Sequence, residues 1–119
     1  MFRVIIAGSR DFADYELLKE KCDKILLNKL ADSAVEIVSG GARGADALGE
    51  RYARERNLAV KIFKADWDTH GKKAGFLRNA EMANYAEALI AFDKGSSGTG
   101  HMVKLAKQKG LLVRHIKVG

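Results

Sequence analysis

The chain has no proline, a single cysteine and no apolar run near the roughly 18 residues that cross a bilayer. Each absence removes a class of protein. No membrane span is expected. One cysteine, Cys22, cannot form an internal disulfide and fits a reducing compartment, so a cytoplasmic location is expected. Met1 leads straight into the strand-like FRVIIAG, which leaves no room for a secretory leader. A run of five like charges is also missing, although the formal net charge is +6. Basic residues stand beside acids, as in EKCDK and GERYARERN, and no helix has a purely basic face. Such a mildly basic, solvated surface favours anionic ligands of any size, and a dedicated DNA- or RNA-binding face is not expected.

What is present alternates between strand and helix. FRVIIAG, VEIVSG, LAVKIFKA, ALIAFD and LLVRHIKV read as five strands. Helical patterns occupy residues 13–30, 44–57, 74–86 and about 99–109, and Gly110 sits where a helix C-terminal glycine belongs. In the first helix Leu18, Cys22, Ile25 and Leu26 share a face, which makes Cys22 a buried small hydrophobe. In the second, Ala45, Leu48, Gly49, Tyr52 and Ala53 face inward. Apolar strands alternating with helices imply parallel βαβ units. The expectation is one Rossmann-like α/β domain over residues 1–119, a three-layer sandwich with about five parallel strands in the order 3-2-1-4-5 and helices on both faces. No linker, repeat or low-complexity segment interrupts it.

In such sheets a ligand binds beyond the carboxyl ends of the strands, where the strand order reverses. Four loops lie there. GSRDF offers Gly8 for close approach and Ser9 as a donor, while Arg10 and Asp11 suit a rim pair, or Asp11 a cap for the helix near Ala13. SGGARGAD places three glycines, Gly40, Gly41 and Gly44, in five positions on a strand-to-helix seam. Its backbone N–H groups and the helix N-terminus suit an anion, Arg43 suits a phosphate, and Asp46 falls in the first helical turn. The loop is neither a Walker A sequence nor a G-x-G-x-x-G fingerprint. GSSGTGHM repeats the device with Ser97, Gly98, Thr99, Gly100 and His101, with Thr99 also suited to an ordinary N-cap. The fourth loop, DWDTHGKKAGFLRN, starts like a calcium loop, but its twelfth position is Leu77 and not the bidentate Glu required. No metal and no cofactor are expected. Trp67, the only tryptophan, suits a core plug first and a stacking platform second. Arg78 and Asn79 fall one turn into the third helix, with Met82 on the face of Arg78.

These stretches in this order, VIIAGSRDF, IVSGGARGADALGERYA, ADWDTHGKKAGFLRNAEMANYAEALIAF and GTGHM, resemble the SLOG superfamily and its small YspA-like, cpYpsA-related group over nearly the whole chain. The resemblance implies a Rossmann-like fold that binds nucleotides or nucleotide derivatives, ADP-ribose species among them. It also implies a homo-oligomer, dimeric or larger. Two relatives mark the alternatives: LOG enzymes cleave the N-glycosidic bond of nucleoside monophosphates, and DprA binds single-stranded DNA. The LOG loop Gly-Gly-x-Gly-Thr-x-x-Glu has its counterpart in Ser97-Gly98-Thr99-Gly100-His101-Met102, with Met102 in place of the glutamate. The LOG Arg-Lys-x-x-Met pattern is matched by Arg78, Asn79 and Met82. The phosphate and sugar grip is thus present and the acid is not, with His101 or Asp46 as substitutes. The expected function is binding of a phosphorylated nucleotide, as a sensor or a sequestering protein, ahead of N-glycosidase activity using Arg78 and ahead of DNA binding.

Overall fold

A computed structural model describes all 119 residues. Five strands form one parallel sheet in the order β3-β2-β1-β4-β5. They are β1 (Phe2–Gly8), β2 (Val35–Ser39), β3 (Ala59–Ile62), β4 (Ala88–Asp93) and β5 (Leu112–Lys117). Between them run α1 (Tyr15–Ile25), α2 (Leu27–Asp32), α3 (Ala45–Glu55), α4 (Trp67–His70), α5 (Ala74–Tyr85) and α6 (Ser97–Gln108). No helix is long and apolar enough to cross a membrane.

The alternation of side chains along each strand sorts the core into two halves. Val4, Ile6, Ile37, Ile90 and Phe92 point to one face and pack with Leu18, Cys22 and Leu26 of the α1 side and Tyr52 of α3. Ile5, Val38, Leu89 and Ala91 point to the other and pack with Met82 of α5 and Met102 and Val103 of α6. The central strands are therefore apolar at consecutive positions, whereas every residue of the edge strand β3 is exposed. Burial and the neighbouring Asp23 push the Cys22 thiol up to about 12, so it stays protonated.

Element ends depart from the sequence pattern where one side chain intervenes. The first helix starts at Tyr15 because Asp14 accepts from Leu17 N–H at 3.1 Å, so Asp11 caps nothing. At Leu26 the helix turns into α2, which runs to Asp32 and buries no residue. Strand β3 is shorter than LAVKIFKA, although Phe63 N–H still reaches Ser39 O at 2.8 Å. The polar DWDTHGKK is not open loop: Asp66 caps the short α4, and Gly71, at φ 57°, ends it before a 3₁₀ turn over Gly71–Lys73. The last helix begins at Ser97 and not Thr99, because Asp93 Oδ1 takes the amides of Gly95 (2.7 Å) and Ser96 (3.2 Å) and turns the chain early.

Gly44 holds the seam before α3. Its φ is 73°, and a Cβ there would lie 2.4 Å from Ser9 O and 2.5 Å from the Arg10 carbonyl carbon. Gly98 differs: a Cβ there meets nothing within 4 Å. In urea unfolding, Gly44→Ala is expected to lose at least about 2 kcal/mol, from left-handed strain and backbone collision. Gly98→Ala, inside a helix, is expected to gain up to about 1 kcal/mol. Equal effects at the two positions would contradict this division.

Candidate functional site

The carboxyl ends of β1, β2 and β4 and the segment 66–79 surround a cavity of about 700 Å³, within the size range of small-molecule sites. Gly8, Ser9 and Arg10 line it from the end of β1, and Arg43 and Asp46 from the start of α3. Trp67, Arg78 and Asn79 line a second side, and Ser97, Gly98 and Thr99 a third. A smaller chamber of about 390 Å³ adjoins it, with Gly40, Gly41 and Lys64 in its wall. The two spaces share Arg10, Ala42, Arg43, Trp67 and Arg78.

Three expected residues line neither space. Gly44 is pressed against the Ser9–Arg10 backbone. Gly100 lies inside the first turn of α6 and gives its N–H to Ser96 O at 3.1 Å. His101 sits behind Asn79, whose Nδ2 lies 3.1 Å from His101 Nδ1 and 3.4 Å from Gly98 O. Burial, with Lys104 nearby, keeps the His101 ring below the ordinary histidine range. Its proton therefore belongs on Nε2, leaving Nδ1 to accept from Asn79, and Phe76 packs on the ring at 4.5 Å. His101 thus orients Asn79.

The glycine pair Gly40–Gly41 of SGGARGAD works differently from an anion nest. Gly41 N–H donates to Ser39 Oγ at 3.1 Å, and Ala42 N–H donates to Asp46 Oδ2 at 3.3 Å. A Cβ on Gly40 would come within 2.8 Å of Asp46 Oδ2 and 3.0 Å of Arg78 Cζ. The missing side chain makes room for the protein's own Asp46 and Arg78, and Arg78 Nη1 donates to Gly40 O at 2.7 Å. Arg78 Nε is buried with no partner.

At the other loop the amides are free. No acceptor in the chain takes the N–H groups of Ser97, Gly98 or Thr99, so three donors of the α6 first turn stand at the cavity wall. Thr99 is buried, is not the N-cap, and lies with its hydroxyl 2.6 Å from Ser96 Oγ. Ser96 in turn accepts from Ser9 Oγ at 3.3 Å. Trp67, expected first in the core, is 50 % exposed on the wall shared by the two spaces. The one-turn helix that carries it buries no residue. Asp11 pairs not with Arg10 but with Lys94, at 3.5 Å.

Charge converges here. Arg10, Arg43, Lys64, Lys72 and Arg78 line the two spaces, and none is within ion-pair distance of a carboxylate. Burial holds the Arg78 guanidinium below its usual value, against the pull of Asp46. Burial also pushes Asp46 up to about 6, with the Ala42 and Gly40 amides and Arg78 opposing. Lys64, Lys72 and Phe76 were not legible as site residues. Lysines on a strand edge and a polar turn look like any solvated lysine, and Phe76 reads as ordinary helix surface.

A family model described as YspA, cpYpsA-related SLOG family matches residues 2–70. The Gene 61 protein of Mycobacterium phage D29 is 39% identical over 122 residues, covering 95% of this chain and 94% of that protein. In structure the chain is similar to DNA processing protein A (DprA) from Streptococcus pneumoniae, with a TM-score of 0.73 at 18% identity. That match takes in 99% of this chain and 50% of DprA, so the chain spans half the length of that protein. It is also similar to the protein TM1055, with a TM-score of 0.69 at 17% identity over 95% of this chain and 72% of that one. At these identities the structural likeness is one of fold.

The state of Asp46 gives a pH prediction. Its folded-state value lies above the ordinary 3.8, so the proton favours folding. That contribution is full below about pH 4 and is lost as pH rises through about 6. Above that the fold carries a buried carboxylate at up to about 3 kcal/mol, at 1.36 kcal/mol per unit. Asp46→Asn should therefore gain stability relative to the parent between pH 4.5 and 7.5, by roughly 2 kcal/mol in denaturant unfolding. A difference that does not change with pH would contradict this account of Asp46.

Proposed function

Because the chain belongs to the YspA, cpYpsA-related SLOG family, we propose that the cavity binds a phosphorylated nucleotide or an ADP-ribose-type derivative. The observation that carries the reading is the meeting of unpaired cations with three unsatisfied amides around one cavity. A phosphate accepts from the amides of Ser97, Gly98 and Thr99, and Arg78 and Arg43 neutralise it. Asp46 and Asn79 hold ribose hydroxyls, the latter fixed by His101. Trp67 offers an exposed indole face to the base. The protein acts as a sensor or as a sequestering protein, and its own oligomerisation belongs to the same proposal.

The glycosidase reading is weaker. Met102 lines the cavity where the LOG pattern has its glutamate, and a thioether neither transfers a proton nor carries charge. His101 lies outside the cavity wall, so of the two expected substitutes Asp46 is the one that lines the cavity. Its raised value is the specific feature that favours this alternative.

The test is depletion and recovery. Micromolar protein is incubated with AMP, ADP-ribose, cyclic ADP-ribose isomers and NAD and removed by filtration, and the filtrate is quantified before and after the retained protein is heated. One compound should be depleted and return intact on heating, and Arg43→Ala, at an exposed position, should weaken its binding by about ten-fold, 1.4 kcal/mol. Free base with a sugar phosphate would make the protein a glycosidase. Depletion of none, with a single-stranded oligonucleotide bound only at low salt, would move the reading to nucleic acid.

A further inference from the structure

The smaller chamber is not accounted for by a single phosphate on the α6 amides. Four of its nine lining residues, Arg10, Arg43, Lys64 and Arg78, are cationic, and none is acidic. The larger cavity, by contrast, sets Asp11 and Asp46 against its cations. No ion pair in the chain offsets them. Arg10, Arg43 and Lys64 reach the chamber from exposed positions and Arg78 from a half-buried one, a lining that suits an anion. The amides of Gly41 and Ala42 are already committed to Ser39 and Asp46, so side chains would do the holding. The buried, unpartnered Arg78 Nε is a second sign of an unmet acceptor beside the chamber.

We propose that this chamber is a second anion seat, and that the ligand is a nucleoside flanked by two phosphates. The inference rests on the nucleotide reading above and names the ligand class of the same site. The two seats have separate ends. The first has Lys72 and the Ser97–Thr99 amides, which do not line the smaller chamber, and the second has Lys64, which does not line the larger. Trp67, half exposed, borders both. A base stacked on its ring sets one phosphate toward each end. A mononucleotide leaves the Lys64 end empty. The flanked nucleoside occurs as a free nucleoside 3′,5′-bisphosphate or as one unit of a single strand of nucleic acid, and the chemistry recognised is the same.

Isothermal titration of the full chain tests this with AMP, adenosine 3′,5′-bisphosphate and a 5′-phosphorylated oligodeoxyadenylate. The bisphosphate is expected to bind at least about ten-fold more tightly than AMP. Lys64→Gln, at an exposed position, should bring that ratio below about two, while Lys72→Gln weakens both ligands and keeps the ratio. A ratio near one in the parent protein, with AMP bound, overturns the second seat and leaves the nucleotide reading standing. An advantage for the bisphosphate that Lys64→Gln does not touch also overturns it. Failure of every adenine nucleotide to bind the folded protein overturns both. Displacement of the bisphosphate by the oligonucleotide, with the same dependence on Lys64, assigns the unit to a strand. Binding of the bisphosphate alone assigns it to a free nucleotide, and either result sustains the two seats.

Discussion

The backbone of Ser9 is the point on which the ligand-facing edge depends. Its N–H donates to Phe92 O at the end of β4, and its carbonyl accepts from Phe12 N–H and Ala45 N–H, which ties β1 to the start of α3. Its hydroxyl accepts from Lys94 N–H at 2.8 Å and donates to Ser96. One buried residue at the end of the central strand therefore fixes the relative positions of three loops. The close approach is open only because Gly44 has no side chain to collide with Ser9 O. The cavity is thus a consequence of sheet order and of this one crossing, and each loop inherits its place from its neighbours.

On that frame the chain handles its charges in two ways. Away from the site three arginines are matched, Arg56 with Asp23 at 2.6 Å, Arg51 with Glu55 at 2.9 Å, and Arg3 with Glu36 and Glu87, while Arg54 and Arg114 stand unpaired. At the site none is matched. Arg78 is half-buried yet makes one bond to a carbonyl, and the one buried acid nearby, Asp46, is itself pushed toward neutrality. The other acid of the cavity wall, Asp11, is paired with Lys94, and the arrangement is the one that the proposed anionic ligand calls for.

The fold was legible in the sequence because its signals are local and repeated. Strand–helix alternation gave the parallel sheet, and the rule that ligands sit beyond the carboxyl ends of strands brought GSRDF, SGGARGAD and GSSGTGHM to one edge. The inward face of α3 followed from its period, with Ala45, Gly49, Tyr52 and Ala53 buried and Leu48 packed against the core. What the pattern left hidden depends on neighbours distant in sequence. Gly40 looked like a seat for phosphate, but its bare backbone admits Arg78, thirty-eight positions away. Trp67 looked like core because tryptophan usually is, and it lies on a one-turn helix past an exposed edge strand. The early start of α6 did have a local signal, since Asp93 stands two and three residues before the amides it captures. Lys64 and Lys72 carried none, because only the third dimension brings them to the two adjoining spaces.

The most direct measurement is the fluorescence of the sole tryptophan during titration with ADP-ribose. Trp67 stands half-exposed on the wall that the two spaces share, so a nucleotide in the site must change its surroundings. The account predicts a saturable change in Trp67 emission that AMP competes away. Emission that stays constant up to millimolar nucleotide, from a protein that remains folded, would contradict it.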